Sequence, residues 1–145
     1  MNRFWDLLEE LKGVKPHRLD KDSGSTMGGW YNARGLYVPD ELNGLPVARF
    51  CEAVTAEGVP SVGPGCNFPL HLHPVLNEAD VYGHGKPTRI ANAACDVRQP
   101  KGSLPVSESI LDHCLGVPWF KHDRPDYITQ CASAFRKVIE NAESL

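Results

Sequence analysis

The chain has 145 residues, 41% of them apolar and 23% charged, with 18 acidic against 15 basic side chains and a formal net charge of −3. That balance predicts one soluble domain large enough to close a hydrophobic core without metal or disulfide staples, and its scattered Lys and Arg exclude the basic stripe of a nucleic-acid surface. No apolar run approaches the roughly 20 residues needed to cross a bilayer, and Met1-Asn2-Arg3 opens onto acidic residues instead of an apolar leader, so a membrane or secretory setting is not expected.

Phe4, Leu7, Leu8 and Leu11 recur at helical spacing and predict an amphipathic helix over 2–12, with Asn2 as its N-cap and Gly13 as the left-handed residue that ends it. Residues 14–19 are expected to be extended because Pro16 is poor in a helix interior and drives its predecessor out of the α region. A polar turn follows at 20–24. Trp30, Tyr31, Leu36, Tyr37 and Val38 make 28–38 a predicted strand, with a bulge at Gly35. Pro46 suits a first helical position, and Val47, Phe50, Cys51 and Val54 continue a second helix that Gly58 ends. Residues 59–62 read as a short extended piece.

From 63 to 102 there is little periodicity and much Pro, Gly and Asn, with one helical turn expected at 75–79. The 13 glycines and 12 prolines of the chain exceed the usual combined share of about 12%, and many fall here. Loops this long are usually functional or lean on something outside their own domain. Leu104-Pro105-Val106-Ser107-Glu108 opens a third predicted helix that carries Ile110, Leu111 and Cys114 and closes at Gly116. After an extended 117–120, Asp126 is expected to cap a last helix with the stripe Ile128, Cys131, Ala132, Phe135, Val138, Ile139 and Ala142. This order predicts an α+β fold, a small and mostly antiparallel sheet packed with helices, in a single domain over 1–145.

The five cysteines include no CxxC pair. Cys51, Cys114 and Cys131 fall in apolar helical patterns where a thiol acts as a small hydrophobe, and a reducing cytoplasm is the expected compartment. The densest polar constellation is Cys66-Asn67-Phe68-Pro69-Leu70-His71-Leu72-His73-Pro74, followed by Asp80, Tyr82 and His84. In an extended segment His71 and His73 would share a face, as a metal site or a two-point ligand contact requires. The tight third and fourth ligands of a tetrahedral site are missing, so no metal is assigned. The alternatives are that both imidazoles satisfy loop backbone, or that the loop faces a polar ligand held partly by another domain. Cys66 lacks the helix N-terminus or basic cluster that would activate a nucleophilic thiol, and Gly83-His84-Gly85-Lys86-Pro87-Thr88 lacks the spacing of a phosphate loop. No catalytic residue is assigned.

Several segments in order resemble the C-terminal part of the DegT/DnrJ/StrS family of sugar aminotransferases, pyridoxal-phosphate (PLP) enzymes of fold type I. They are Trp5-Asp6-Leu7-Leu8-Glu9-Glu10-Leu11-Lys12-Gly13-Val14, Arg49-Phe50-Cys51 leading to Ala56-Glu57-Gly58-Val59-Pro60, Asn67 to Pro74, Leu104 to Glu108, and Val117-Pro118-Trp119-Phe120. The Leu-Pro-Val-Ser-Glu block followed at this distance by Pro-Trp-Phe is the most specific, and the resemblance covers nearly the whole chain. It implies a small domain that closes over the active site of a large cofactor-binding domain, which has no counterpart here. None of Lys12, Lys15, Lys21, Lys86, Lys101, Lys121 or Lys137 lies in a stretch like the family's cofactor-lysine motif. The chain alone is therefore expected to bind no PLP and to transaminate nothing. The resemblance points to His71 and His73, then Asn67 and Tyr82, as contacts to a keto-sugar or to the neighbouring domain. The implied partners are a large aminotransferase domain or a sugar ligand, and an apolar partner face around Trp30, Phe68 and Trp119 implies a homo-oligomer. The alternative is a free-standing binding module that keeps the small-domain fold, with a ligand at the polar loop from Cys66 to His84.

Overall fold

Phe4, Trp5 and Leu8 lie on one stripe and all three are fully buried, which is why Asn2–Leu8 folds as helix α1 against the rest of the chain. The structure is a computed structural model that describes residues 1–20 and 22–145; the predicted turn at 20–24 includes Lys21, which lies outside them. Two compact units emerge, one formed by Met1–Cys66 with Asp112–Leu145 and the other by Asn67–Leu111.

The first unit holds an antiparallel sheet of four short strands: β1 (Val14–Pro16), β2 (Arg34–Tyr37), β3 (Gly63–Pro64) and β4 (Cys114–Gly116), in the order β1-β2-β4-β3. Val14 pairs with Tyr37, Gly35 with Leu115, and Pro64 with Leu115. Val14, Gly35, Tyr37 and Leu115 on the inward pleat are buried, while Leu36 on the outward pleat is 46% exposed. Helices α2 (Val47–Ala56) and α5 (Pro125–Glu140) complete this unit with α1. The fold is α+β, as the order of sequence patterns predicts.

Aromatic rings tie these elements together. Phe135 of α5 meets Phe4 of α1 at 5.3 Å and 84° and Phe50 of α2 at 5.9 Å and 64°. Phe50 in turn lies 5.2 Å from Tyr37 of β2. Edge-on pairs of this kind add roughly 0.5–1.5 kcal/mol each to what their buried area contributes. The Tyr37 hydroxyl donates to the Leu45 carbonyl oxygen at 2.7 Å inside the core, and burial pushes the Tyr37 pKa up to about 12. Cys51 and Cys131 are buried, and burial raises the Cys51 thiol to about 11.

Several expectations are corrected. Helix α1 stops at Leu8, and Met1 rather than Asn2 occupies its N-cap. Strand β2 starts at Arg34, because β1 and β4 offer it partners only from there, and Tyr31 is 95% exposed. Gly35 sits in regular register with no bulge. The extended piece expected at 59–62 is a turn, with Ser61 at φ 60°, and the strand follows at Gly63–Pro64. The long third helix splits. Only Pro105–Ser109 is helical (α4), Ile110 is 36% exposed, and Cys114 lies in β4. The apolar spacing of 110, 111 and 114 mimics a helix, but burying Leu115 between β2 and β3 satisfies more backbone and apolar surface. Arg124, not Asp126, holds the N-cap position of α5, and Pro125 takes the first helical site. The stripe from Ile128 to Ala142 is buried as its spacing predicts.

No helix among the described residues is long and apolar enough to cross a membrane.

Candidate functional site

From Asn67 onward the polar constellation belongs to the second unit, and its local structure grows from prolines. Pro69 precedes a 3-10 turn at Leu70–Leu72, and Pro74 occupies the first position of the short helix α3 (Pro74–Asn77). The segment is therefore coiled, not extended, and His71 and His73 do not share a face as alternate strand residues would. His71 is buried, at 4% exposure, while His73 is half-buried at the helix N-cap.

Asn77 locks this turn. Its Nδ2 donates to the carbonyl oxygens of His71 at 2.7 Å and His73 at 3.0 Å. The Val75 backbone N–H donates to His73 Nδ1 at 3.3 Å. A ring nitrogen that accepts carries no proton, so in neutral His73 the proton is on Nε2.

His71 Nε2 lies 2.9 Å from Glu108 Oε1. Glu108 projects from α4, where it also accepts from the backbone N–H of Gly102 at 2.9 and 2.8 Å and from that of Leu104 at 3.2 Å. The imidazole first, then the Gly102 and Leu104 N–H groups, hold the Glu108 carboxyl below its ordinary range. Leu104 is the N-cap residue of α4, so its bond to Glu108 is a variant of the capping box. His71 is thus a structural anchor between two turns, with its Nε2 occupied by a carboxylate.

Asp80 plays the same part further along. Its carboxylate accepts from the backbone N–H of His84 at 3.0 Å and of Gly85 at 2.6 Å, and these bonds hold it below the usual carboxylate range. The glycine-rich turn at 83–85 spends its donors on a side chain of the same unit. Tyr82 is 56% exposed and stacks on His84 at 6.0 Å and 28°. Phe68 is 47% exposed and meets His73 edge-on at 6.0 Å. Asn67 is exposed at the start of the unit.

Of the four candidates, the structure therefore leaves His73, Tyr82 and Asn67 accessible to some degree and commits His71 inward. Asn77 and Glu108 were missed as organising residues. Leu104-Pro105 followed by Glu108 was the available signal, since a proline at a first helical position with an acid a turn later marks a capped helix start. Cys66 closes the first unit, whereas His71 and His73 belong to the second. Among the described residues no three His, Cys, Asp or Glu side chains are gathered as metal ligands would be.

Lys15 pairs with Glu41 at 2.8 Å, Lys137 pairs with Glu57 at 2.7 Å, and Lys121 lies 4.7 Å over the Trp119 ring. Lys12, Lys86 and Lys101 are exposed. None of these six is buried, the setting in which desolvation activates an amine toward Schiff-base formation. No protein-family model matches the chain, and no curated protein matches it in sequence.

Proposed function

We propose that the chain acts as the small C-terminal domain of an aminotransferase of the DegT/StrS kind, with Asn67–Leu111 turned toward the substrate pocket of a large PLP-binding domain supplied elsewhere. The reading starts from the sequence resemblance, and one structural observation supports it. Apart from Pro69, no apolar side chain of Asn67–Leu111 is buried, while Leu70, Val75, Val81, Tyr82 and Val106 are more than half exposed. Such a segment is held by polar bonds around Glu108, Asn77 and Asp80, and a surface outside this chain would give it apolar contacts.

In that complex the cofactor supplies the electron sink for moving an amino group from an amino acid to a keto-sugar or related ketone. This chain's residues bind and orient. His73 Nε2–H would donate to a substrate hydroxyl, Tyr82 and Asn67 would contact the sugar, and the His71–Glu108 bond would keep the turn that carries His73 in place. On this reading the chain would transaminate only together with that large domain, which carries the cofactor lysine. Phe68 and Trp119, 47% and 49% exposed, would favour self-association in the absence of the large domain, while Trp30 is partly buried against Trp5, 6.5 Å away.

The test is to mix the full chain with the large domain of a DegT-type aminotransferase, PLP, an amino-acid donor and a keto-sugar nucleotide. Co-elution, together with amino transfer that requires this chain and falls with His73→Ala, is the expected result. No association and no activity would overturn the reading. Stabilisation of the isolated chain by sugar nucleotides, without any association, would favour the free-standing binding module instead.

A further inference from the structure

The chain leaves Asn67–Leu111 through two residues that lie side by side. Cys66 is the last residue before that segment, and Cys114 is the third residue after it. Pro64 of β3 pairs with Leu115 of β4, and the Gly65 N–H donates to the Cys114 carbonyl oxygen at 2.6 Å. Gly65 has φ 74°, a left-handed conformation that glycine adopts at no steric cost, and it turns the chain just after β3. The Cys114 thiol is hydrogen-bonded to Cys66, and both residues are thiols of intermediate exposure. The Arg34 guanidinium sits against this corner, donating to the Gly65 carbonyl oxygen at 2.7 Å. The other three cysteines differ: Cys51 and Cys131 are buried, and Cys95 is exposed in the second unit.

We propose that Cys66 and Cys114 form a dithiol modification site that a low-molecular-weight disulfide converts to an intramolecular disulfide across β3 and β4. Cys66 loses its proton to solvent and its thiolate attacks one sulfur of the reagent; the reagent's S–S bond breaks, and one small thiolate leaves and takes up a proton. Cys114 then loses its proton to solvent and attacks the Cys66 sulfur of the mixed disulfide, releasing the second small thiol. Two protein thiols are oxidised by two electrons, and the small disulfide is reduced to two thiols. Burial, then the charge of Cys66 and a bond to it, raise the Cys114 thiol against the opposing pull of Arg34. The cross-link closes Asn67–Leu111 into a covalent ring at its base, reducing the freedom of a segment with few buried contacts. In a reducing compartment such a bond is transient and reports redox state. The inference does not depend on the aminotransferase reading.

The test treats the reduced full chain with oxidised glutathione, then alkylates, weighs and peptide-maps it, with near-UV circular dichroism confirming that it stays folded. The expected product has lost two alkylatable thiols and about 2 Da, and a single cross-linked peptide pair contains Cys66 and Cys114. Cys66→Ser and Cys114→Ser should each retain glutathione on the remaining partner. A wild-type protein that keeps glutathione on Cys66 or Cys114 with no cross-link would overturn the proposal. So would a cross-link that joins Cys95 to either. The wild-type map decides the matter even if a variant fails to fold.

Discussion

Gly35 lies against the indole of Trp5: a Cβ on Gly35 would come within 3.0 Å of Trp5 Cη2 and 3.4 Å of a Leu115 methyl. The glycine is required by close approach of a helix side chain to the middle of the sheet. Gly35→Ala should therefore destabilise the fold by about 1–3 kcal/mol through overpacking. Chemical denaturation would measure this, and the loss should shrink when Trp5→Phe is added, since the smaller ring removes the clash.

Phe135 joins three helices through its contacts to Phe4 and Phe50. Phe135→Ala should cost about 3–5 kcal/mol and Phe135→Leu clearly less, because the isobutyl group refills part of the cavity. Thermal unfolding followed in the far ultraviolet would separate the two. Equal losses would mean that the site collapses around either side chain.

Tyr37 donates its hydroxyl to the Leu45 carbonyl oxygen inside the core, so Tyr37→Phe should cost about 1 kcal/mol at neutral pH. Its folded pKa is raised from 10.0 to about 12. The folded state thus holds a proton that the unfolded chain loses first, and stability present below pH 10 declines as pH rises through the folded value. Denaturation midpoints measured from pH 9 upward should fall less steeply in Tyr37→Phe than in the parent.

Acid should act on the second unit. Glu108, Asp80 and Asp96 are all held below their ordinary values, Asp96 to about 2, by hydrogen bonds from His71 and Gly102, from Gly85 and His84, and from Arg98 respectively. For depressed carboxyls the folded state favours the ionised form. Their contribution is complete above the unfolded values of 4.5 and 3.8 and is lost as pH falls through the folded ones. Hydrogen exchange at Gly102, Leu104, His84 and Gly85 should accelerate in acid before exchange in α5 does. Glu108→Gln should make Gly102 and Leu104 exchange quickly even at neutral pH.

Exposed apolar side chains in Asn67–Leu111 should make the isolated chain concentration-dependent in solution. Sedimentation velocity is expected to show association that weakens in Leu70→Ser with Val106→Ser, at residues 70% and 82% exposed. A monodisperse monomer at high concentration would contradict this.

Local pattern was enough wherever one helix face meets one core. The spacing of Val47, Phe50, Cys51 and Val54, and the longer stripe on α5, needed no knowledge of the partner elements, because a 3.6-residue period already separates the buried side from the wet one. Strands of two to four residues gave no such help. Cys114, Leu115 and Gly116 are too short to show alternation, and only pairing with β2 on one side and β3 on the other makes them a strand. In the polar segment, the residue types were visible, but the bond from His71 to Glu108 spans 37 positions. Neither residue's local context distinguishes an anchor from a ligand contact.

The sequence by itself determined the α+β class, the buried stripes of α2 and α5, and the collection of histidines, prolines and glycines between 63 and 102, because these depend on periodicity and composition within a single segment. Only the tertiary structure decided that Gly35 is a packing position rather than a bulge, that His71 turns inward while His73 stays partly open, and that Cys66 meets Cys114 at the base of Asn67–Leu111. Each of those outcomes depends on which distant side chain or strand arrives next to the residue, and long-range pairing is set by closing the whole core, not by any local preference.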